Sequence, residues 1–476
     1  MIKSTILSCV LFATTCAVWF NPQHDREMTT GIALALFLGI CGAIAAMRKA
    51  SFVKTPGRVA FWAVVAYGVL ITASFVSLTT HTSMSYRPLL VQYLGIGAFL
   101  SVYLFYDRIE TFLKISTALF SAAIVCAVAH VAFHHIGGYQ YYTRIFMHRN
   151  VAGCFFAMML PLAYGMVWGK DRMRLWAIPA VGLLWYAMFI TGSRSGIFAA
   201  TCVTIIYALH GRKWILLLGL VIVFGAILGP RGMDKNPIGT RIFSLSASEA
   251  TGALTKGREP IYPKMWAMVK AHPILGVGIG NMHINAPTSN TGPHSLYLAL
   301  HSYGGILAIV LWMIPALAVL FLPKHSIPER MACFAYMICA VWSECGANVP
   351  PNPVIFWALM GVVLVKGETW PDNHNALRRS AAALLLCCGA WGSCWSINHW
   401  RANRAILIGS AMGQQKFYQK AIEQYDLALE LEPLHYKALY ARGMTRMALR
   451  QHRAGYDLAA LDYLVPDFGL TRRILR

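Results

Sequence analysis

Residues 295–322 read SLYLALHSYGGILAIVLWMIPALAVLFL, without a single Asp, Glu, Lys or Arg. Wound as an α-helix at about 1.5 Å per residue, such a run is more than long enough to cross a hydrocarbon core roughly 30 Å thick. Similar runs recur on both sides of it. The candidate spans are 4–20, 30–47, 59–78, 88–106, 112–133, 151–168, 173–191, 195–209, 214–229, 295–322, 330–346, 353–365 and 380–397. A soluble domain has no use for so many. The expected fold is therefore all-α, a polytopic membrane protein of about 12–13 transmembrane helices. The first run follows Met1-Ile-Lys3 and resembles a signal peptide, but it has no clear small-residue cleavage site and reads as an uncleaved first helix.

Composition agrees. Of 476 residues, 57% are hydrophobic and 13% charged, against about 25% charged in soluble domains. The formal net charge of +22 would suggest nucleic acid in a soluble protein. Here loop charge that sets topology accounts for much of it, and no nucleic-acid partner is expected. With the N-terminus in the cytoplasm, the inner loops hold 17 Lys and Arg, and the short outer loops hold five: Arg26, Arg87, Arg144, Arg149 and Arg194. The positive-inside rule supports that orientation. All twelve cysteines lie in or beside apolar runs, so they read as small buried side chains rather than a disulfide framework.

Four regions follow: transmembrane helices over 1–229, a large outer loop over 230–294, further transmembrane helices over 295–397, and an outer tail over 400–476. Within the loop, Pro260 suits a first helical turn. Ile261, Met265, Met268 and Val269 then share one helical face, with Trp266 at its edge. This reads either as a helix lying on the membrane or as an ordinary packed surface helix. His272–Asn281 contains a G-x-G-x-G, which fits a tight turn better than a nucleotide site, because no strand-turn-helix surrounds it.

His294 stands at or just before the helix that opens the 295–322 run. The positive end of the helix dipole lowers its expected pKa and leaves a neutral imidazole able to accept a proton. Arg194 sits in a very short outer turn between two apolar runs, where an arginine either snorkels to headgroups or meets an anion. Arg258 has the same two readings. Arg87, Arg144 and Arg149 add to the outer set. Guanidinium forks match phosphate oxygens, so these residues point to an anionic, lipid-linked substrate. No metal-ligand spacing stands out on the outer side, and no metal or other cofactor is expected.

The short T-G-S-R-S-G turn at 191–196 resembles that of the O-antigen ligase superfamily. So does the order G-R-x-x-I-Y from Gly257, Trp266, H-P-I-L-G-V-G-I-G-N from His272, and P-H-S-L-Y-L-A-L-H-S-Y-G-G-I-L from Pro293. That superfamily comprises O-antigen ligases, O-antigen polymerases and protein O-oligosaccharyltransferases. The resemblance implies a metal-independent glycosyltransferase in the bacterial inner membrane, moving a glycan from undecaprenyl pyrophosphate to an acceptor hydroxyl on the periplasmic face. It assigns His294, Arg194 and Arg258 to catalysis. Arg87, Arg144, Arg149 and Tyr297 are further candidates for contact with pyrophosphate or glycan. Ser295 departs from the pattern, since many members carry Asn after the histidine. One base without a paired carboxylate nucleophile favours direct displacement, hence inversion.

In the tail, Ala421, Tyr425, Ala428 and Pro433 fit part of a tetratricopeptide repeat, and Gly409 and Gly443 stand 34 residues apart, as do Tyr425 and Ala459. The second copy is degenerate, with Gly455 at the Ala421 position. The tail reads as a stabilising cap or as a platform for a protein partner. Transfer of O-antigen to lipid A–core, in lipopolysaccharide biosynthesis, leads among the family's reactions. A protein Ser/Thr acceptor or a growing glycan are its alternatives. A lipid-linked oligosaccharide flippase is the competing class. It would require ionisable residues inside the spans, and Glu344 is the main candidate.

Overall fold

A computed structural model describes residues 57–78, 83–105, 109–137, 149–169, 174–228, 261–282, 294–321, 327–343, 352–364, 394 and 397–464. The described residues are helical, without strands. In chain order the helices are α1 (Gly57–Leu78), α2 (Ser83–Phe105), α3 (Ile109–Gly137), α4 (Arg149–Val167), α5 (Arg174–Ile190), α6 (Arg194–Gly211), α7 (Trp214–Leu228), α8 (Tyr262–Ala271), α9 (Leu296–Phe321), α10 (Ile327–Trp342) and α11 (Asn352–Leu364). The tail adds α12 over 397–414, α13 (Tyr418–Leu431), α14 (Tyr436–Ala448) and α15 (Ala454–Leu464). Each apolar run between 59 and 365 coincides with a helix to within a few residues. The runs at 4–20 and 30–47, and most of 380–397, lie outside the described residues. By length and composition alone, four helices among those described suffice to cross a membrane: Val59–Leu78, Ile115–Ile136, Arg149–Val167 and Leu296–Phe321, the last of them broken within. Shorter apolar helices stand beside them. The chain is an all-helical, multi-pass membrane protein.

One continuous core joins α1–α6 and α9–α11. It is built from rings and small residues. The Trp357 indole of α11 stacks near Tyr67 of α1 and meets Phe99 of α2 edge-on, and Gly95 of α2 leaves it room. Phe356 stacks on Tyr336 of α10 and on Trp312 of α9. Lipid tails give helices no hydrophobic reason to associate, so close contact of this kind is what holds a membrane bundle together.

Contacts at helix ends show that successive helices run in opposite directions. At one end, Ser116 at the start of the apolar part of α3 donates to Glu329 Oε1 on α10 at 2.8 Å. Lys213, between α6 and α7, places its ammonium over the Trp168 and Tyr207 rings, 4.4 and 4.5 Å from their centroids. The opposite end holds the start of α4, the start of α6, the end of α10 and the start of α11.

The 295–322 run is where sequence and structure part. It is not one straight span. Gly304 and Gly305 break the helix, and Gly305 adopts φ 63, ψ −155, a conformation essentially reserved for glycine. The Tyr297 and Trp312 rings meet edge-on with centroids 5.9 Å apart. Fifteen residues of straight helix would separate them by about 22 Å. The two limbs therefore fold back on one another. Residues 306–321 form the long limb and 296–303 a short returning limb.

The reversal is held by the loop that precedes it. Val277 and Gly278 both donate N–H to Ser302 O at 3.0 Å, and Ile306 N donates to Pro273 O at 3.0 Å. Ser74 of α1 donates its hydroxyl to Tyr303 O. Backbone groups freed by the break are thus satisfied within the protein, the condition for tolerating a break at membrane depth. A Cβ on Gly276 would lie 2.3 Å from His301 O, and one on Gly305 2.0 Å from Ile274 O. Gly276 of the G-x-G-x-G stretch and Gly305 of the break let these two backbones touch, while Gly278 makes room for the Leu78 backbone at the end of α1. A tight turn explains only half of their use.

Helix α8 begins at Tyr262 with Pro263 in its first turn, one turn's edge later than the sequence suggests; Pro260 lies outside the described residues. Ile261, Met265 and Met268 are buried with Val277 and Met282, and Leu298 packs against them. Its apolar face thus packs on protein, while Trp266, Ile274 and Leu275 are exposed.

The tail has a core of its own, including Ala402, Ala405, Tyr425, Ala428, Leu439 and Leu458. Gly409 lies under the Tyr425 ring, and Gly443, 34 residues on, lies under Leu458 rather than Ala459, which is exposed. The 34-residue spacing that pairs Tyr425 with Ala459 is thus not matched by equivalent packing.

Candidate functional site

Arg194 is the first residue of α6, and the turn before it is rigid. Thr191 donates to Met188 O at 2.6 Å and accepts from Ser193 N at 3.0 Å. Ser193 caps α6, its hydroxyl oxygen accepting from Gly196 N at 3.3 Å. Ser193 Oγ in turn donates to Asn150 Oδ1 on α4 at 3.3 Å. Gly196 makes this join possible, because a Cβ there would sit 2.7 Å from the Gly153 backbone. Arg149 and Arg194 are thus chain neighbours of a hydrogen-bonded pair. They stand at the N-termini of two helices in direct contact.

His294 is on the same end. Ser295 supplies the carbonyl that starts α9, accepting from Ala299 N at 3.1 Å, so the histidine lies just outside the helix, as its sequence position suggests. Its backbone is left-handed, with φ 51. That is uncommon for a non-glycine residue, and strained backbone concentrates at functional sites. Three residues on, the Tyr297 hydroxyl donates to Met337 O of α10 at 3.3 Å. Two residues beyond Met337, the Cys339 thiol donates to Ser195 O at 3.5 Å. One turn of α10 therefore holds both the returning limb that starts at His294 and the helix that starts at Arg194. The fold-back of α9 is what carries its returning limb to this part of α10.

Asn352, buried at the start of α11, completes the frame by donating to Val151 O at 2.8 Å. Neither Asn150, Ser193 nor Asn352 was singled out from sequence. The cap that Ser193 makes on α6 is a local signal, but its bond to Asn150 and that of Asn352 to Val151 cross 43 and 201 positions, and no spacing rule reports such contacts. Tyr297 is partly committed to structure through its hydroxyl and its ring. Arg87 lies in the first turns of α2. Arg144, Arg258 and Glu344 lie outside the described residues.

Among the described residues, the helix starts at this end share one electrostatic sense. The first turns of α2, α4, α6, α9 and α11 carry no acidic residue. Each helix N-terminus presents unsatisfied N–H groups and a partial positive charge. Arginines at such positions are unfavourable for the folded chain alone and favourable once an anion binds.

A multi-pass helical membrane protein with a cationic, histidine-bearing end is the class these features define. Residues 179–313 match the family model described as O-antigen ligase, so this stretch of the chain is an O-antigen ligase-like glycosyltransferase domain. The matched stretch runs from α5 into the long limb of α9. It includes Arg194, Arg258, His294 and Tyr297, and leaves out Arg87, Arg144, Arg149 and the tail. The family implies a lipid-linked glycan donor and an acceptor. No curated protein matches the chain at a significant level.

Proposed function

We propose that this protein transfers a glycan from undecaprenyl pyrophosphate to an acceptor hydroxyl on the periplasmic face of the inner membrane, with lipid A–core as the acceptor. The observation that carries the reading is the shared turn of α10, which ties the limb bearing His294 to the helix bearing Arg194. His294 is the general base. It takes the acceptor's hydroxyl proton as the oxygen attacks the anomeric carbon, and the bond from that carbon to the pyrophosphate oxygen breaks. Arg194 and Arg258 stabilise the charge that gathers on the leaving pyrophosphate, the place a divalent cation fills in many transferases. Arg149, with Arg87 and Arg144, extends the cationic surface for the diphosphate or glycan. One displacement at one carbon inverts its configuration. Positive-inside loop charge supports the orientation, which puts this end and the tail outside.

Two variants test the base. Asparagine adopts left-handed backbone readily and cannot act as the base, so His294→Asn separates chemistry from strain. Glycan transfer falls by about 10²–10⁴-fold, with the lipid-linked glycan accumulating on the outer leaflet and the protein folded. His294→Ala gives the same loss with some added backbone strain. Wild-type transfer by His294→Asn refutes the role. A failure to expose the lipid-linked glycan at all would indicate a flippase instead.

A second reading keeps the mechanism and changes the acceptor to a protein Ser or Thr. The self-contained tail core favours it, because a tetratricopeptide-like surface is suited to holding a polypeptide. Identifying the glycosylated product missing from a deletion strain separates lipopolysaccharide, glycoprotein and long polymer.

A further inference from the structure

Three buried side chains of the tail converge on one spot. His399 lies on α12, and Glu432 and His435 lie at the turn between α13 and α14. His399 Nδ1 is 2.8 Å from Glu432 Oε2, and His435 Nε2 is 3.9 Å from the same oxygen. One donor atom from each of the three lies within 4.8 Å of the others. The two imidazoles are nearly parallel, 5.8 Å between centroids. All three residues are buried.

A simple His–Glu ion pair does not account for this arrangement. It occupies His399 Nδ1 and one carboxylate oxygen. Glu432 Oε1 and His435 Nδ1 remain buried without a hydrogen-bond partner among the described residues. Buried polar atoms in native proteins nearly always have a partner. His435 Nδ1 lies across its ring from Nε2, so the orphan that bears on a shared cation is Glu432 Oε1, free to serve as a second carboxylate ligand.

We propose that His399, Glu432 and His435 form a binding site for a divalent transition metal of the zinc type, which clips α12 to the α13–α14 turn. Bonds of about 2.0–2.1 Å in tetrahedral geometry place neighbouring donor atoms roughly 3.3 Å apart. The separations of 2.8 and 3.9 Å bracket that value. Two imidazole nitrogens with one carboxylate suit zinc, copper or nickel, whereas calcium and magnesium require oxygen shells. Three protein ligands leave a fourth position for water.

Asn403 can hold the metal-bound ring once its amide is turned. Its amide nitrogen lies 2.9 Å from His399 Nε2, one turn along α12. A metal on Nδ1 leaves the proton on Nε2, and the same amide turned half around presents Oδ1 to accept it. Metal-bound histidines are held by such partners. A clip across residues 399–435 also suits a tail of a few short helices, since small helical folds gain most from a structural metal. Glu432 and His435 stand three positions apart, but the third ligand, His399, lies 33 positions before Glu432, so the full set is not visible as one motif. The proposal stands whether or not the glycosyl-transfer mechanism above is right.

The test uses the full-length protein in detergent, stripped with a chelator and titrated with Zn²⁺ and, separately, Co²⁺. Wild-type protein should retain one more zinc per chain after dialysis than Glu432→Gln, which keeps the side chain's size and a hydrogen bond to His399. Asn403→Ala should bind zinc about 10–100-fold more weakly. His452→Ala, at an exposed histidine of the same tail, should match wild type. Equal zinc retention and affinity in wild type and Glu432→Gln overturns the proposal. Should Glu432→Gln misfold, by protease resistance of the tail, the wild-type cobalt complex decides. Visible bands of nitrogen and oxygen coordination without thiolate charge transfer support the site, and no cobalt spectrum refutes it.

Discussion

Gly196 of α6 meets Gly153 of α4 backbone to backbone, whereas Gly409 of α12 is covered by the Tyr425 ring. The same residue type serves two solvents. Among lipid tails, helices gain nothing by hiding apolar surface from one another, so α4 and α6 associate by closing to the shortest distance their backbones allow. In water, burying an aromatic ring is itself favourable, and a glycine beneath it is a seat for the ring. Polar groups divide the same way. In the bundle they close backbone circuits at helix ends, as Ser193, Asn150 and Asn352 do. In the tail they form charge networks. Arg442 grips Asp457 with two hydrogen bonds, at 3.1 and 2.6 Å, and Arg446 reaches the same carboxylate at 2.9 Å.

This contrast can be broken or sharpened by mutation. The largest effect belongs to Arg194→Lys, which keeps charge and span and removes the planar fork. Transfer should fall by about 10²–10³-fold, as for loss of one charge-stabilising donor, with the tail's protease resistance unchanged. Activity near wild type would move the pyrophosphate contact elsewhere. Next comes Gly196→Ala. The added carbon meets Gly153 backbone at 2.7 Å, so α6 must back away, at about 1–3 kcal/mol. Thermal unfolding in detergent should drop and transfer should weaken with it; an unaltered melting temperature means the contact is slack. The smallest effects lie in the tail. Asp457→Asn removes a buried charge between two arginines and should cost about 1–3 kcal/mol of tail stability. Asp426→Asn, at a side chain 42% exposed, should cost under about 1 kcal/mol. Limited proteolysis reads both, and transfer from the bundle should survive both.

Much of the bundle was legible in the sequence, because hydrophobic runs and helix ends follow from composition along the chain. The placement of His294 before a helix, and of Arg194 at the start of one, followed from the same reasoning. The reversal at Gly304–Gly305 did not. Its residues are as apolar as their neighbours, and the cause is the loop at 273–278, which bonds to the break from outside the run. The reading of 295–322 as one continuous span therefore gives way to two limbs. Asn150, Ser193 and Asn352 were illegible for a related reason: each is defined by a partner dozens or hundreds of residues away. In the tail, the 34-residue spacing located Gly409 and Gly443, but that Leu458 rather than Ala459 covers Gly443 depends on packing.

The reversal also fixes how His294 can move. The arm from 296 to 303 has its elbow fastened by the bonds from Val277, Gly278 and Ser74, and its far end resting on α10 through Tyr297. Pulling the loop away would strip partners from backbone groups at the elbow, so loop and arm travel as one piece. The loop at 273–278 is therefore mechanically geared to His294 at the arm's tip.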